Sequence, residues 1–264
     1  MLTVTSAQLD LWLAGFIWPF VRILAMVATD PFFGNRSVPR RVKVGLSVML
    51  TVILTPVLGE MPHVSPGSAA GILIMVQQIM IGVSMGLAMR IVFASFEMAG
   101  HLAGLQMGLG FATFFDPQRG TQVQAVSTFT GLLALLLFLS MNGHLVVIRA
   151  LAESFYVLPV SSRILSVTGW KTLVEWGGEI FKAGLLISLP IVAVLLVANL
   201  AMGIMSRAAP QVNLFAVGFP ITLGIGFFML YLSLPYFTPL FDRIFNDGIS
   251  TTLQILRQAN PAHP

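Results

Sequence analysis

The chain has 264 residues, of which 56% are hydrophobic and only 9% charged, and its mean hydropathy is +0.90. A soluble domain usually carries about 25% charged residues, so this chain cannot cover an apolar interior with polar surface and must live in or beside lipid, or inside an apolar assembly. Fourteen Lys and Arg against ten Asp and Glu give a net charge of +4. That is too sparse for a nucleic-acid-binding stripe, and the lack of any cysteine excludes disulfides, thiol nucleophiles and thiolate metal sites.

The first apolar run covers about 11–29, and no Lys or Arg precedes it. Without a basic leader it does not read as a cleavable signal and is expected to stay as a membrane helix. The connection "TDPFFGNRSVPRR" that follows holds Asp, Pro, Gly and Asn turn formers. Ser37 with Pro39 is expected to cap and start the second helix. Arg36, Arg40, Arg41 and Lys43 in this connection oppose a single acid, Asp30. Such a basic cluster favours the cytoplasmic side and would leave the N-terminus outside. The later connections do not reinforce that orientation.

Further apolar runs lie at about 44–59, 69–96, 125–152, 183–205 and 212–241. With the first run they predict an all-α polytopic membrane protein of about six hydrophobic helical segments. Helices are expected because lipid offers the backbone no partners. The lengths are uneven. The second run spans roughly 24 Å and the third roughly 42 Å at the helical rise, against a bilayer core of about 30 Å. Prolines at 19, 56, 190, 220, 235 and 239 add expected kinks or breaks. One reading is an irregular bundle of tilted helices. The other is a set of partial hairpins sheathed by partner subunits. The polar stretch 153–182 carries a helical pattern from about 169. The tail from Asp242 spaces Ile244, Phe245, Ile249, Leu253 and Leu256 as a short amphipathic helix on a surface or partner. No repeat or domain boundary is visible, so 1–264 reads as a single domain.

Chemistry has little to work with. His63, His101, His144 and His263 share no ligand spacing, and there is no zinc-protease pattern and no phosphate-binding G-K-[ST] loop. Gly108 to Gly110 lacks the strand and third glycine of a dinucleotide fingerprint. No enzyme, cofactor or metal is expected. Arg22, Arg90 and Glu97 lie in or at the ends of apolar runs, where a charge pairs within the bundle, snorkels, or serves a relay. His144 is expected at a helix end, and Gln77 and Gln78 are expected to hold helices together.

The glycines are more informative. Gly82 and Gly86, and then Gly100, Gly104 and Gly108, recur every four residues, with Gly110 following. That interval lets helix backbones approach closely. Yet so many glycines before "FATFF" and a proline make a continuous helix through 100–110 unfavourable, since each costs about 1 kcal/mol relative to alanine. An apolar non-helical segment at membrane depth is tolerated only inside protein or lining a cavity.

Four ordered stretches carry a resemblance: "PRRVKVGL" at 39–46, "GLQMGLGFATFFDP" at 104–117, "FLSMNGHL" at 138–145 and "RAAPQVNLFAVGFPITLGIG" at 207–226. Together they resemble the FliR family, export-gate proteins of the bacterial flagellar type III secretion system, over essentially the whole length. The resemblance implies an inner-membrane subunit of the flagellar basal body. It would assemble with FliP-like and FliQ-like subunits, with an FlhB-like subunit docked against them, and pass transient unfolded polypeptide substrates. Related injectisome subunits of the SpaR and YscT type share the fold, and "QRG" at 118–120 resembles them. The segment matching 104–117 is implied to be a plug. Gly104, Gln106, Met107, Gly108, Gly110, Phe111, Phe114 and Phe115 would form the gate, and Asp116 and Pro117 would end the loop and start the next helix. A small-molecule or ion transporter is the reading this displaces. Related halves and midplane charges on broken helices, which such a transporter should show, are not evident.

Overall fold

The computed structural model describes residues 6–59, 61–62, 64–111, 125–209 and 214–260. Among them there is no strand. The helices are α1 (Ser6–Thr29), α2 (Arg40–Leu54), α3 (Ala69–Gln106), α4 (Ala125–Ser140), α5 (Gly143–Val157), α6 (Thr168–Gly177), α7 (Glu179–Ala208) and α8 (Leu214–Ala259). Among the described residues each of the six apolar runs contains α-helix. Three stretches are long and apolar enough to cross a membrane alone: Ala69–Gln106, Thr168–Ala208 and Val217–Ala259. The α4–α5 pair makes a fourth if read as one broken span. With 15 residues, α2 reaches about 22 Å, short of the bilayer core.

The residues cluster into two compact units, neither contiguous in sequence. Unit 1 comprises 1–91, 142–177 and 246–264; unit 2 comprises 92–141 and 178–245. In this way α3 and α8 each contribute to both.

Unit 1 is organised around α1. Gly82 and Gly86 let α3 lie directly on it: a Cβ at Gly82 would stand 2.7 Å from Ala25 Cβ, and one at Gly86 would stand 2.8 Å from Asp30 N. The four-residue glycine spacing therefore serves helix packing here. Arg22 is fully buried, and among the described residues its hydrogen-bond partners are neutral. Its Nε donates to Gln78 Oε1 (2.7 Å), one terminal nitrogen to Ser154 O (3.0 Å) and Oγ (3.2 Å), and the other to Leu158 O (2.9 Å). The Phe155 ring lies 4.1 Å from its guanidinium carbon. Ser154 and Leu158 sit at the C-terminal end of α5. The cation thus meets the negative end of a helix dipole, sharing Ser154 O with the Leu158 N–H and taking the carbonyl of the C-cap residue Leu158, which supports a buried charge. Gln77 donates to Arg163 O (2.8 Å), so both glutamines hold elements together as expected.

Several local expectations are corrected. Ser37 does not cap α2: the N-cap is Pro39 without a side-chain hydrogen bond, and Ser37 N–H instead donates to Asn35 Oδ1. Ser37 lies two residues too early to reach the first free amides. The 125–152 run is broken at Met141 and Asn142, where Asn142 takes left-handed backbone (φ 55°). Prolines 19, 190, 220, 235 and 239 lie inside helices rather than ending them. The tail is no separate helix on a foreign surface. It is the end of the 46-residue α8, and Ile244, Phe245, Thr252, Ile255 and Leu256 are buried within the chain itself. Gly169 of α6 makes room for it, since a Cβ there would stand 3.0 Å from Ala259 Cβ.

Candidate functional site: the segment after α3

The site is built where α3 ends, within unit 2. Six phenylalanines brace this region. Phe93 and Phe96 of α3, Phe138 of α4 and Phe237, Phe241 and Phe245 of α8 form a continuous set of edge and stacked contacts with centroids 5.4–6.0 Å apart. Such pairs add about 0.5–1.5 kcal/mol each beyond their burial. Closer to the loop, Thr130 Oγ1 donates to Phe96 O (2.8 Å) and Ser127 Oγ to Glu97 O (2.8 Å). Gly100 sits against α4, where a Cβ would stand 2.6 Å from Ser127 Cα. The start of α4 is thereby pinned to the last turns of α3.

The helix runs on to Gln106. No continuous helix runs through 100–110, as expected, but the break comes only after Gln106, so Gly100 and Gly104 are still helical. Packing of the glycine face against α4 outweighs the propensity loss. Gly104 and Gln106 belong to α3, and the chain leaves the helix at Met107.

Its first residues are well defined. Met107 N–H donates to Ala103 O (2.9 Å) and Gly108 N–H to Leu105 O (3.0 Å), which closes the helix end. Gly108 takes φ 85°, a backbone that only glycine adopts readily, and this turns the chain out of α3. Leu109–Phe111 forms one 3-10 turn containing Gly110. Phe114, Phe115, Asp116 and Pro117 lie outside the described residues, so their expected roles as constriction and cap remain expectations.

Met107 is not presented to open space. It is fully buried and lies flat on Gly226 of α8: a Cβ there would stand 2.6 Å from Met107 Cε and 2.9 Å from its Sδ. One turn earlier on α8, Thr222 Oγ1 lies 3.1 Å from Met107 O and 3.0 Å from Phe219 O. Thr222 and Gly226 fall in the quoted 207–226 stretch, yet nothing in the sequence pairs them with a residue 115 positions away.

The basic cluster lies elsewhere, in unit 1. Arg36, Arg40 and Arg41 are exposed, while Lys43 Nζ donates to Gly34 O (2.7 Å). Arg40 and Arg41 open α2 at its positive dipole end, where cations are disfavoured. Asp30 closes α1, its Oδ1 accepting from Phe32 N–H (2.8 Å) and Phe33 N–H (2.9 Å). Burial pushes this carboxyl up to about 6, against the downward pull of those two bonds. Gly34 is required beside it, because a Cβ would stand 2.5 Å from Asp30 O.

Gly82-Val83-Ser84-Met85-Gly86 has the letters of a nucleophile elbow, but it lies in mid-helix, with Ser84 Oγ buried and donating to Ile81 O. An elbow requires a sharp strand-to-helix turn. Among the described residues no group of three or more His, Asp or Glu could hold a metal. His144 does not satisfy a helix end: its Nδ1 is buried without a partner, and the ring lies 6.4 Å from that of Phe32.

Helices long and apolar enough to cross a membrane define the class as a polytopic helical membrane protein, and residues 13–248 match the profile of the bacterial export proteins, family 1. The chain is 45% identical over 258 residues to "Flagellar biosynthetic protein FliR" of Pectobacterium carotovorum subsp. carotovorum, covering 98% of each. It is 39% identical to the protein of that name from Escherichia coli (strain K12), again covering 98% of each. With the Bacillus subtilis (strain 168) protein it shares 30% over 95% of this chain and 97% of that one. The chain belongs to the FliR family of bacterial export proteins.

Proposed function

We propose that this chain is a subunit of the flagellar type III protein-export gate in the bacterial inner membrane, at the flagellar basal body. There it would form, with FliP-like and FliQ-like subunits and a docked FlhB-like subunit, the channel for unfolded flagellar subunits. Whole-length similarity to flagellar relatives supports this reading over an injectisome role. The observation that carries the mechanism is the end of α3: a rigid, braced rod that turns at Gly108 into an apolar segment. Phe111, Phe114 and Phe115, with Gly108 and Gly110 between rod and rings, would supply a soft hydrophobic constriction. Such a constriction excludes water and ions at rest by dewetting. Phenylalanine rings carry no polar group that demands a fixed partner, so such a constriction would yield to many different side chains.

The close packing of Gly100 on α4 favours a second reading, a hairpin that only packs and never moves. Shortening 106–113 separates the two. A gate gives an assembled complex that leaks ions and slows growth, whereas a packing hairpin gives failed assembly without a leak. A shortened protein that assembles fully and stays ion-tight would refute the gate.

A further inference from the structure

We propose that Thr222 and Gly226 of α8 are positioning residues for the gate: together they form a releasable latch that holds the base of the segment through Met107. This rests on the gate reading above and specifies what keeps the segment in its resting position.

Three observations meet at one place. Met107, the last residue before the left-handed turn at Gly108, has no exposed surface. Its side chain lies on Gly226, whose missing Cβ leaves the space it fills. Its carbonyl accepts from the Thr222 hydroxyl. That carbonyl stands at the C-terminus of α3, where the helix itself offers no partner.

The hydroxyl makes the latch reversible. Thr222 has one proton and two acceptors within reach, Met107 O at 3.1 Å and Phe219 O at 3.0 Å on its own helix. A hydroxyl donates once, and its hydrogen rotates to suit. While the segment is seated, the proton serves Met107 O. When the segment lifts, the proton swings to Phe219 O, the ordinary back-bond of a helical threonine. No buried donor is stranded in either state. The only group to lose a partner is the Met107 carbonyl, which moves with the segment. Methionine suits the other half of the contact, since its flexible, polarisable chain can leave and reseat on a smooth glycine surface.

The test uses the complex co-expressed with its gate partners in membrane vesicles. Thr222→Val removes the donor at nearly constant volume, and Thr222→Ser keeps it. Losing one buried hydrogen bond shifts the seated-to-lifted ratio on the order of fivefold. Resting ion leak in Thr222→Val should rise by about that factor with unchanged amounts of complex, while Thr222→Ser should match the parent. In the second arm, Met107→Cys with Gly226→Cys places two thiols on either side of the contact in a chain with no other cysteine. Oxidation should lock the base, lower the leak and stop export, and reduction should restore export. If Thr222→Val assembles normally without a leak, or fails to assemble while Thr222→Ser succeeds, the latch is wrong. Export that continues through an oxidised pair also overturns it. A fault in the gate reading itself shows differently, as an ion-tight complex after shortening 106–113 in a protein whose 222 and 226 are untouched.

Discussion

Arg22 illustrates how a charge survives inside an apolar chain. Its guanidinium is completed by a glutamine side chain and by a hydroxyl and two carbonyls at the end of α5. The arginine therefore caps a helix other than its own. Arg22→Met fills similar volume but leaves Gln78 Oε1 and Leu158 O without the arginine's donors in a buried site, an expected loss on the order of 2–4 kcal/mol. Arg22→Lys should rescue little, because a point charge cannot fork to three partners at once. The measurement is protease resistance and complex yield on native gels. Parent-like values for Arg22→Met would show that the network contributes nothing net. The sequence marked Arg22 as a charge in an apolar run and offered pairing or a relay. It could not name the partners, which lie as far as 136 positions away and include backbone atoms that no side-chain pattern reveals.

At the level of elements, hydrophobic run length identified the helices well, because lipid and packed interiors both demand continuous backbone bonding. The breaks were harder to read. The dipeptide Asn142-Gly143 carried a turn signal, but it was embedded in an apolar run whose hydrophobicity masked it. Asparagine tolerates left-handed backbone and β-branched residues do not. Asn142→Gly is accordingly expected to leave the thermal stability of the complex near the parent value, whereas Asn142→Val should lose about 1–2 kcal/mol. If valine were tolerated as well as glycine, the αL conformation would not be what breaks α4 from α5. Glycine signalled the break within 100–110 but not its position: at 100–106 propensity argued against a helix and close packing on α4 restored it. At the candidate site the turn at Gly108 was legible from the clustered glycines. The anchoring of Met107 was not, since a buried methionine and a pore-facing one look alike in one dimension.

For the molecule as a whole, the decisive feature is what it leaves uncovered. Within its most apolar window the stretch Thr168–Ala208 is only 22% buried, against 56% for α3. Along α7, Leu185, Leu186, Leu189, Leu196, Val197 and Leu200 are all exposed. Lipid or other subunits must cover these surfaces. Because partner binding stabilises the folded state by mass action, expression alone should give aggregation or degradation. Co-expression with FliP-like and FliQ-like proteins should raise the yield of intact chain severalfold. A monodisperse, long-lived monomer in detergent would contradict this.

The arginine network also sets a schedule for biosynthesis. Arg22 finds its first partner, Gln78, 56 residues later, and its last, Leu158, 136 residues later. At about 5–20 residues per second, a ribosome needs roughly 7–27 s to make the intervening chain. Throughout that interval the nascent protein holds an incompletely capped cation in its first hydrophobic segment. The early helices therefore cannot settle until the middle of the chain has been delivered, and a product truncated before Leu158 is left with a charge that nothing in it can fully answer.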